Sequence, residues 1–233
     1  MSRKSILFVF TSVQATDTGR ETGSFVPGLD PLYFDLAPHF DITFASPSGK
    51  NPPIETMKSD TSPFISDPTV QEKLSNAIKL SDVKVADYDA VYYVPSLGLV
   101  LDLASSKLNG KVASDVLSLL SLFTDNDSRS VLPGNILSGL CHAPAALVLA
   151  KDTNGNPIFH GRNSTALSVA EEHLSNIAQD IPFLPEEKIR EVGGKYSNIE
   201  PFTPYIVADG NLATGQNPAS SALLAQKLIE LLL

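Results

Sequence analysis

Cys141 is the only cysteine of this chain, and His142 follows it directly within the stretch SGLCHAPAALV. A thiol beside an imidazole can serve as a nucleophile with its own base, because the imidazole can accept the thiol proton. A lone cysteine is otherwise most often a small buried apolar side chain. The spacing favours chemistry here, because Gly139 and Ala143 lie two positions to either side, as in a nucleophile elbow.

An elbow needs a strand before the nucleophile and a helix after it. The apolar run GNILSGLC (134–141) predicts the strand, and residues 142–151 predict the helix. The nucleophile then lies at the carboxyl end of the sheet, where open α/β folds bind ligands. The helix start offers partial positive charge and free N–H groups, so His142 can act as the base or supply its amide to an oxyanion.

Short apolar runs alternate with segments of helical period over the rest of the chain. The runs at 5–13, 40–46 and 88–95 are typical of strands buried on both faces of a parallel sheet. Two short apolar runs around Asp209 and Gly210 predict a hairpin. The pattern therefore predicts an α/β fold, with a mostly parallel sheet and helices on both faces. The predicted helices are part of 24–38, then 69–81, 110–124, 142–151, 169–178, 185–193 and 218–232.

The length of 233 residues and the even composition predict one domain over residues 1–233. The stretch 47–68 is rich in Pro, Ser and Asp. Because the composition does not shift across it, we interpret it as a surface excursion packed near the cleft rather than as a linker.

Charge and cysteine content exclude several kinds of partner. The net charge of −9 argues against a nucleic-acid partner, which clustered Lys and Arg would have to bind. A single cysteine forms no internal disulfide, which indicates a reducing compartment. The apolar run 6–10 is too short for a signal core and the C-terminal LIELLL is too short to span a bilayer. We therefore expect a cytoplasmic protein with no membrane partner.

The sequence predicts neither a metal nor a cofactor site. Its four histidines show no HxxxH or HxxEH spacing, and EVGGKYSNIEP has neither of the glycine spacings that bind nucleotides. We expect the chain to work without a metal or cofactor on a small-molecule substrate. The four histidines are His39, His142, His160 and His173.

Five stretches in order resemble the ThiJ/PfpI superfamily, in its branch of heat-shock chaperones and class III glyoxalases. The elbow LCHAPAAL and the closing segment VADGNLATGQNPASSALLAQKL are the most specific of them. The resemblance covers nearly the whole chain and implies a flavodoxin-like three-layer sandwich of the class I glutamine amidotransferase type. It also implies a homodimer. The other three stretches are FASPSGKNPPI, DYDAVYYVPSLG and GRNSTALSVAEE.

The resemblance implies a catalytic triad of cysteine, histidine and an acid. Carried over by position, the nucleophile is Cys141, the base is His142 and the acid is Glu172, with Glu171 as the next candidate. Such a carboxylate would orient the imidazole and stabilise its charged form. Glu171 and Glu172 also suit the acidic first turn of a helix, and both interpretations can hold together.

The first helix departs from the family pattern. The family carries a catalytic glutamate there, but ETGSFVPGLDPL (21–32) aligns Gly28 with it. Pro27 and Pro31 lie close by, and we expect them to break or delay the helix. Other carboxylates are near but out of register: Glu21, Asp30 and Asp35.

Two further positions of the pocket also differ from the family. Leu97 stands before Gly98 where the family's glycine-rich turn has a histidine, and Ala143 replaces the usual glycine after Cys-His. The change at Ala143 is the milder one, and Leu97 and Gly28 predict a wider, more apolar pocket. The residues expected to form the pocket and oxyanion site are Gly28, Leu97, Gly98 and Ala143.

These features predict a cofactor-independent cysteine enzyme for a small carbonyl or electrophilic metabolite. The resemblance implies a lyase or hydratase of the glyoxalase III kind. One alternative is a stress-related holdase chaperone or a catalytically degenerate relative. Another is a specialised metabolic enzyme that uses Cys141 on a larger substrate.

Overall fold

The computed structural model describes residues 3–55, 62–121, 135–152 and 154–233, except the side chains of residue 108 and of 116–121. Buried apolar runs form the strands, which are bounded by turn residues. The strands are β1 (Ser5–Val9), β2 (Ser24–Phe25), β3 (Asp41–Ser46), β4 (Ile54–Glu55), β5 (Ile78–Lys79), β6 (Ala90–Tyr93), β7 (Ile136–Leu140), β8 (Asn163–Ser164), β9 (Lys195–Tyr196), β10 (Ile206–Asp209) and β11 (Leu212–Gly215).

Seven of these strands form the central sheet in the order β10-β11-β7-β6-β1-β3-β5. All neighbours are parallel except β10 and β11, which form the predicted hairpin. The register sets Val9 beside Tyr93 and Tyr93 beside Gly139, so the carboxyl ends of β1, β6 and β7 meet at one edge.

Helices cover both faces of the sheet. Successive residues of β1 point to opposite sides, so Leu7 belongs to one core and Phe8 to the other. One core lies under α4 and α5, and the other lies under α1 and α8. The fold class was therefore predicted correctly as a three-layer α/β sandwich. The helices are α1 (Val26–Leu36), α2 (Pro63–Ser66), α3 (Pro68–Ser75), α4 (Gly98–Asp102), α5 (Lys107–Ser121), α6 (Val169–Leu174), α7 (Pro185–Glu191) and α8 (Ser221–Leu232).

The helix predicted at 142–151 is wrong in kind. Residues Ala143–Leu147 form a short 3₁₀-helix. Its hydrogen bonds join residues three positions apart, as the N–H of Ala145 donates to the carbonyl of His142 at 3.0 Å. An Ala- and Pro-rich apolar run fits either kind of helix, so periodicity alone could not distinguish them.

Two other predicted helices end early. The helix at 69–81 stops at Ser75, because Ile78 joins the sheet edge opposite Ala45. The helix at 169–178 stops at Leu174, shortly before Asn176, whose φ of 53° a continuing helix cannot accommodate. In the predicted helix 110–124, residues 122–124 lie outside the described residues.

The prolines of the first helix do not break it. Pro27 occupies the first turn of α1, where a missing N–H leaves no hydrogen bond unmade. Pro31 lies inside the helix and removes one bond, yet α1 continues to Leu36. The expectation of a broken or delayed helix was therefore wrong.

Part of the 47–68 excursion is tied to the body of the molecule. Its β4 pairs in parallel with β2, which directly precedes α1. Residues 56–61 lie outside the described part. Among the described helices, none has the length and apolar character needed to cross a membrane.

Candidate active site

Cys141 follows β7 directly at the carboxyl edge of the sheet. Its φ is 62°, the sparsely populated conformation that an elbow imposes. Its N–H donates to the carbonyl of Gly215 at 3.0 Å, and its own carbonyl accepts from Leu167 N–H at 2.9 Å. A Cβ at Gly139 would lie 2.9 Å from Cβ of Ala143, so only glycine fits there. The strained backbone predicted at Cys141 is confirmed.

His142 lies between the thiol and a buried carboxylate. Its Nδ1 is 3.4 Å from Sγ of Cys141, and its Nε2 is 3.0 Å from Oε1 of Glu172. His142 is 4% exposed and Glu172 is fully buried. The carboxylate is at ion-pair distance but outside the direction of a well-aligned N–H hydrogen bond. The structure thus brings Cys141, His142 and Glu172 together.

Glu171 points elsewhere and has a different set of contacts. Ser168 and Glu171 form a capping box at the start of α6, which aligns this helix with the elbow. Glu171 Oε1 also accepts from Phe202 N–H and from Asn217 Nδ2, each at 2.8 Å. Burial raises the pKa of Glu171, but the hydrogen bonds from Ser168, Phe202 and Asn217 outweigh it and lower the pKa. Glu171 therefore supports the fold, and Glu172 faces the histidine.

The two neighbours of His142 fix its charge. Burial alone would lower the pKa of the imidazole. The charges of Cys141 and Glu172 outweigh burial and raise the pKa from 6.5 to about 10. The raised pKa favours the protonated, imidazolium form of His142. Among the described residues, no backbone hydrogen bond from the N–H of His142 is found.

A cavity of about 340 Å³ opens over the thiol. Its walls are mainly apolar, and Leu97 forms part of them, as predicted. Four polar or charged side chains join Cys141 and His142 in lining it. The lining residues are Arg20, Phe25, Glu55, Ser96, Leu97, Cys141, His142, Leu167, Ser175, Ile177, Phe202 and Pro218.

Three residues predicted for the pocket do not line it. Gly28 lies within α1, where an added Cβ would be 2.9 Å from Cγ of Pro95. Gly98 donates its N–H to Oγ1 of Thr22 at 3.1 Å. Ala143 packs behind the cysteine against Gly139. Packing fills these positions, so no open space remains beside them.

Glu55 was not identified from the sequence. It lies at the end of β4 and lines the cavity. Burial raises its pKa, and hydrogen bonds from Gly23 N–H and Thr22 offset this only in part, as do the charges of His142 and Arg20. The sequence does not predict this position, because β2 and β4 are strands of two residues each and are too short to show an alternating apolar pattern.

Arg20 lies at the same cavity and is held in place. Its Nε is 2.5 Å from Oδ2 of Asp180, and its Nη2 donates to the carbonyl of Asn176 at 2.9 Å. Within the described part of the chain, no group of three or more His, Cys, Asp or Glu side chains could hold a metal ion. A second cavity of about 280 Å³, beside Asn51 and Phe64, has no ionisable side chain in its lining.

The fold and the elbow define a class: cysteine-elbow α/β proteins of the ThiJ/PfpI type. The solved structure of Rapid Encystment Protein 24 KDa from Francisella tularensis matches with a TM-score of 0.87 at 25% identity, over 99% of each chain. A ThiJ/PfpI domain protein from Brachyspira murdochii shares the fold, with a TM-score of 0.63 at 16% identity over 99% of this chain and 98% of that one.

The curated relatives include proteins named glutathione-independent glyoxalase and proteins named glutamine amidotransferase-like class 1 domain-containing protein 1. The chain is 28% identical to the probable glutathione-independent glyoxalase hsp3104 of Schizosaccharomyces pombe, over 66% of this chain and 65% of that protein, just under two thirds of its length. It is 24% identical to the glutathione-independent glyoxalase HSP31 of Saccharomyces cerevisiae, over 100% of this chain and 99% of that protein. No family model matches the chain. The resemblance to the ThiJ/PfpI superfamily is confirmed.

Proposed function

We propose that this protein is a cofactor-independent cysteine enzyme that converts a 2-oxoaldehyde into a 2-hydroxy acid. One observation carries the proposal: the Cys141 thiol opens into a cavity beside a buried His142, which Glu172 supports from behind. The glyoxalase names of the relatives from two yeasts support the same reaction class.

The proposed reaction needs no external oxidant or reductant. The thiolate of Cys141 adds to the aldehyde carbon and forms a hemithioacetal, in which one proton then moves from C1 to C2. This oxidises C1 to a thioester and reduces C2 to an alcohol. Water hydrolyses the thioester, releasing the 2-hydroxy acid and restoring the thiol.

In this reaction His142 and Glu172 act through charge. The imidazolium stabilises the thiolate before attack, and once the sulfur has bonded to carbon the same Nδ1–H donates to the oxygen that becomes negative. Glu172 keeps the ring protonated and oriented, as the acid of a catalytic triad does. The backbone N–H of His142 provides a second donor to the same oxygen.

The cavity favours a larger substrate than methylglyoxal. Its volume of about 340 Å³ falls within the range of pockets for whole small molecules, about 300–1,000 Å³. Phe25, Leu97 and Phe202 provide apolar contact area for a hydrocarbon or aryl group beside the reacting carbonyl. We therefore expect a higher kcat/KM for phenylglyoxal than for methylglyoxal.

The experiment compares wild type with Cys141→Ala in two assays, 2-hydroxy acid formation and suppression of client aggregation. We expect turnover to fall at least about 10³-fold in the variant, because Cys141 is the only thiol in the sequence. A wild type without turnover of either aldehyde would contradict the proposal.

A holdase chaperone is the second candidate. Among the described residues, six large apolar side chains are between 39% and 77% exposed, and Leu174 and Phe202 are two of them. Aggregation suppression that persists in Cys141→Ala, in a wild type without turnover, would favour this candidate. We also propose a homodimer, for which light scattering should give twice the chain mass of 24.9 kDa.

A further inference from the structure

The proposed reaction requires a group that carries a proton between two adjacent carbons. Such a group must face the cavity, and it must be able both to accept and to release a proton. Among the described residues that line the cavity, Glu55 is the one carboxylate. Glu172 is fully buried behind His142, and Glu171 is occupied by Ser168, Phe202 and Asn217.

His142 is unsuited to this task. One ring nitrogen faces the sulfur of Cys141 at 3.4 Å, and the other faces Glu172 at 3.0 Å. Both ring nitrogens are therefore directed at protein side chains, and neither is left free to accept a proton from carbon. Proton abstraction needs a different base.

The local backbone positions Glu55 specifically. A Cβ at Gly23 would lie 2.9 Å from the backbone nitrogen of Glu55, so a side chain there would push β4 away. The hydroxyl of Thr22 lies 3.5 Å from Oε2 of Glu55 and accepts a hydrogen bond from Gly98 N–H at 3.1 Å. Glu55 is thus linked to the turn that begins α4 at the carboxyl end of β6.

We propose that Glu55 is the catalytic residue that moves the proton from C1 to C2 of the hemithioacetal at Cys141. Its carboxylate takes the C1 proton, and the C–H electron pair forms the C1–C2 double bond of an enediol as the C2 carbonyl oxygen takes a proton from water. The resulting carboxylic acid then protonates C2, which restores the carboxylate. The C1 hydroxyl gives its proton back to water as the thioester carbonyl forms, so the net change is the transfer of one hydrogen from C1 to C2 and of one from the C1 oxygen to the C2 oxygen.

The environment of Glu55 suits a base. Burial raises its pKa above the usual range, which makes its carboxylate a stronger proton acceptor than an exposed one. Hydrogen bonds from Gly23 N–H and Thr22 and the charges of His142 and Arg20 limit this rise of the Glu55 pKa. The inference rests on the proposed function, because it assigns a step of the proposed reaction.

The test is Glu55→Gln with Glu21→Gln as its matched control, since Glu21 is exposed, close in sequence to Thr22 and outside the cavity lining. We expect Glu55→Gln to lower kcat about 10²–10⁴-fold with little change in KM, and Glu21→Gln to match wild type. Alkylation of Cys141 by iodoacetamide, followed by intact mass, should proceed at the wild-type rate in both variants. The acid limb of the wild-type pH–rate profile should disappear from the residual activity of Glu55→Gln.

Each failure has its own signature. Turnover in Glu55→Gln within threefold of wild type, with Cys141→Ala inactive, would overturn the role of Glu55 and leave the proposed function standing. A loss of kcat with an unchanged acid limb would also overturn it. Absence of turnover in wild type would overturn the proposed function and the role of Glu55 together.

Discussion

The two sides of the cavity are built in different ways. The rear wall, which consists of Cys141, His142 and Glu172, comes from one sharp turn and one adjacent helix. The front wall, which consists of Thr22, Gly23 and Glu55, is held by the pairing of β4, which carries Glu55, with β2, which directly follows Gly23. The rear wall holds the nucleophile by local geometry, whereas long-range backbone pairing holds the front wall. The turn at Cys141 fixes the reactive groups of the rear wall. The reactive group of the front wall can change when the segment around β4 changes.

The strongest test of the rear wall substitutes Glu172 and its sequence neighbour Glu171 in separate variants. We expect Glu172→Gln to lower kcat/KM about 10²–10³-fold, because the imidazolium loses its buried counter-charge. Glu171→Gln should instead lower the free energy of unfolding by about 2–4 kcal/mol, because an amide NH₂ would face donors such as Asn217 Nδ2. Steady-state kinetics and urea unfolding of both variants check this. An equal loss of activity in both would contradict the assignment of Glu172.

Gly23→Ala tests the front wall without touching a carboxylate. The added methyl group would lie 2.9 Å from the backbone of residues 53–55 and would displace β4. We expect kcat to fall about tenfold or more and the unfolding free energy to drop by about 1–3 kcal/mol. Kinetics with thermal unfolding check this. Unchanged kinetics would show that the position of Glu55 does not matter.

Gly28→Glu asks whether a carboxylate can return to the first helix. Its Cβ would lie 2.9 Å from Cγ of Pro95 and 3.4 Å from Cδ1 of Leu140. We expect a loss of about 1–3 kcal/mol in stability and no gain in turnover, because the site is already filled. Thermal unfolding and 2-hydroxy acid formation check this. Increased turnover would show that the pocket does accept a second acid.

Asp102 accepts hydrogen bonds from Thr11 and Ser12, in the segment that packs beside Gly98. We expect its substitution to affect stability only, which makes it the smallest of these effects. Burial raises its pKa from 3.8 to about 6, despite hydrogen bonds from Ser12 N–H and Thr11. The folded state therefore binds the proton more tightly than the unfolded state, so stability falls as pH rises from about 4 to 6. We expect Asp102→Asn to remove this slope, which amounts to about 1–3 kcal/mol. Urea unfolding from pH 4 to 7 checks this, and an unchanged slope would contradict it.

The sequence predicted the rear wall well because its information is local. Gly139, Cys141 and Ala143 specify a turn by spacing alone, and the strand before them is a simple apolar run. For the acid that pairs with His142, the family resemblance left two candidates, Glu171 and Glu172. Side-chain direction on α6 distinguishes the two in the structure, because Ser168 caps the helix through Glu171 and leaves Glu172 facing the imidazole.

The front wall could not be predicted in the same way. Glu55 reaches the cavity through pairing between Ser24–Phe25 and Ile54–Glu55, which are about 30 residues apart and too short to show a period. The prolines of α1 misled for a related reason, because proline is a helix breaker only where its N–H is needed. The first case depends on tertiary pairing, and the second depends on where in the helix each proline lies.

The attachment of β4 by backbone contacts has a consequence for divergence. Ser24 N–H donates to the carbonyl of Pro53 at 2.8 Å, and Phe25 N–H donates to that of Pro95 at 2.8 Å, so neither bond depends on a side chain. Substitutions along residues 53–55 can therefore alter what faces the thiol while the attachment stays in place. Proteins that diverge from this chain can therefore acquire new reactions through substitutions at residues 53–55, while Cys141 is retained.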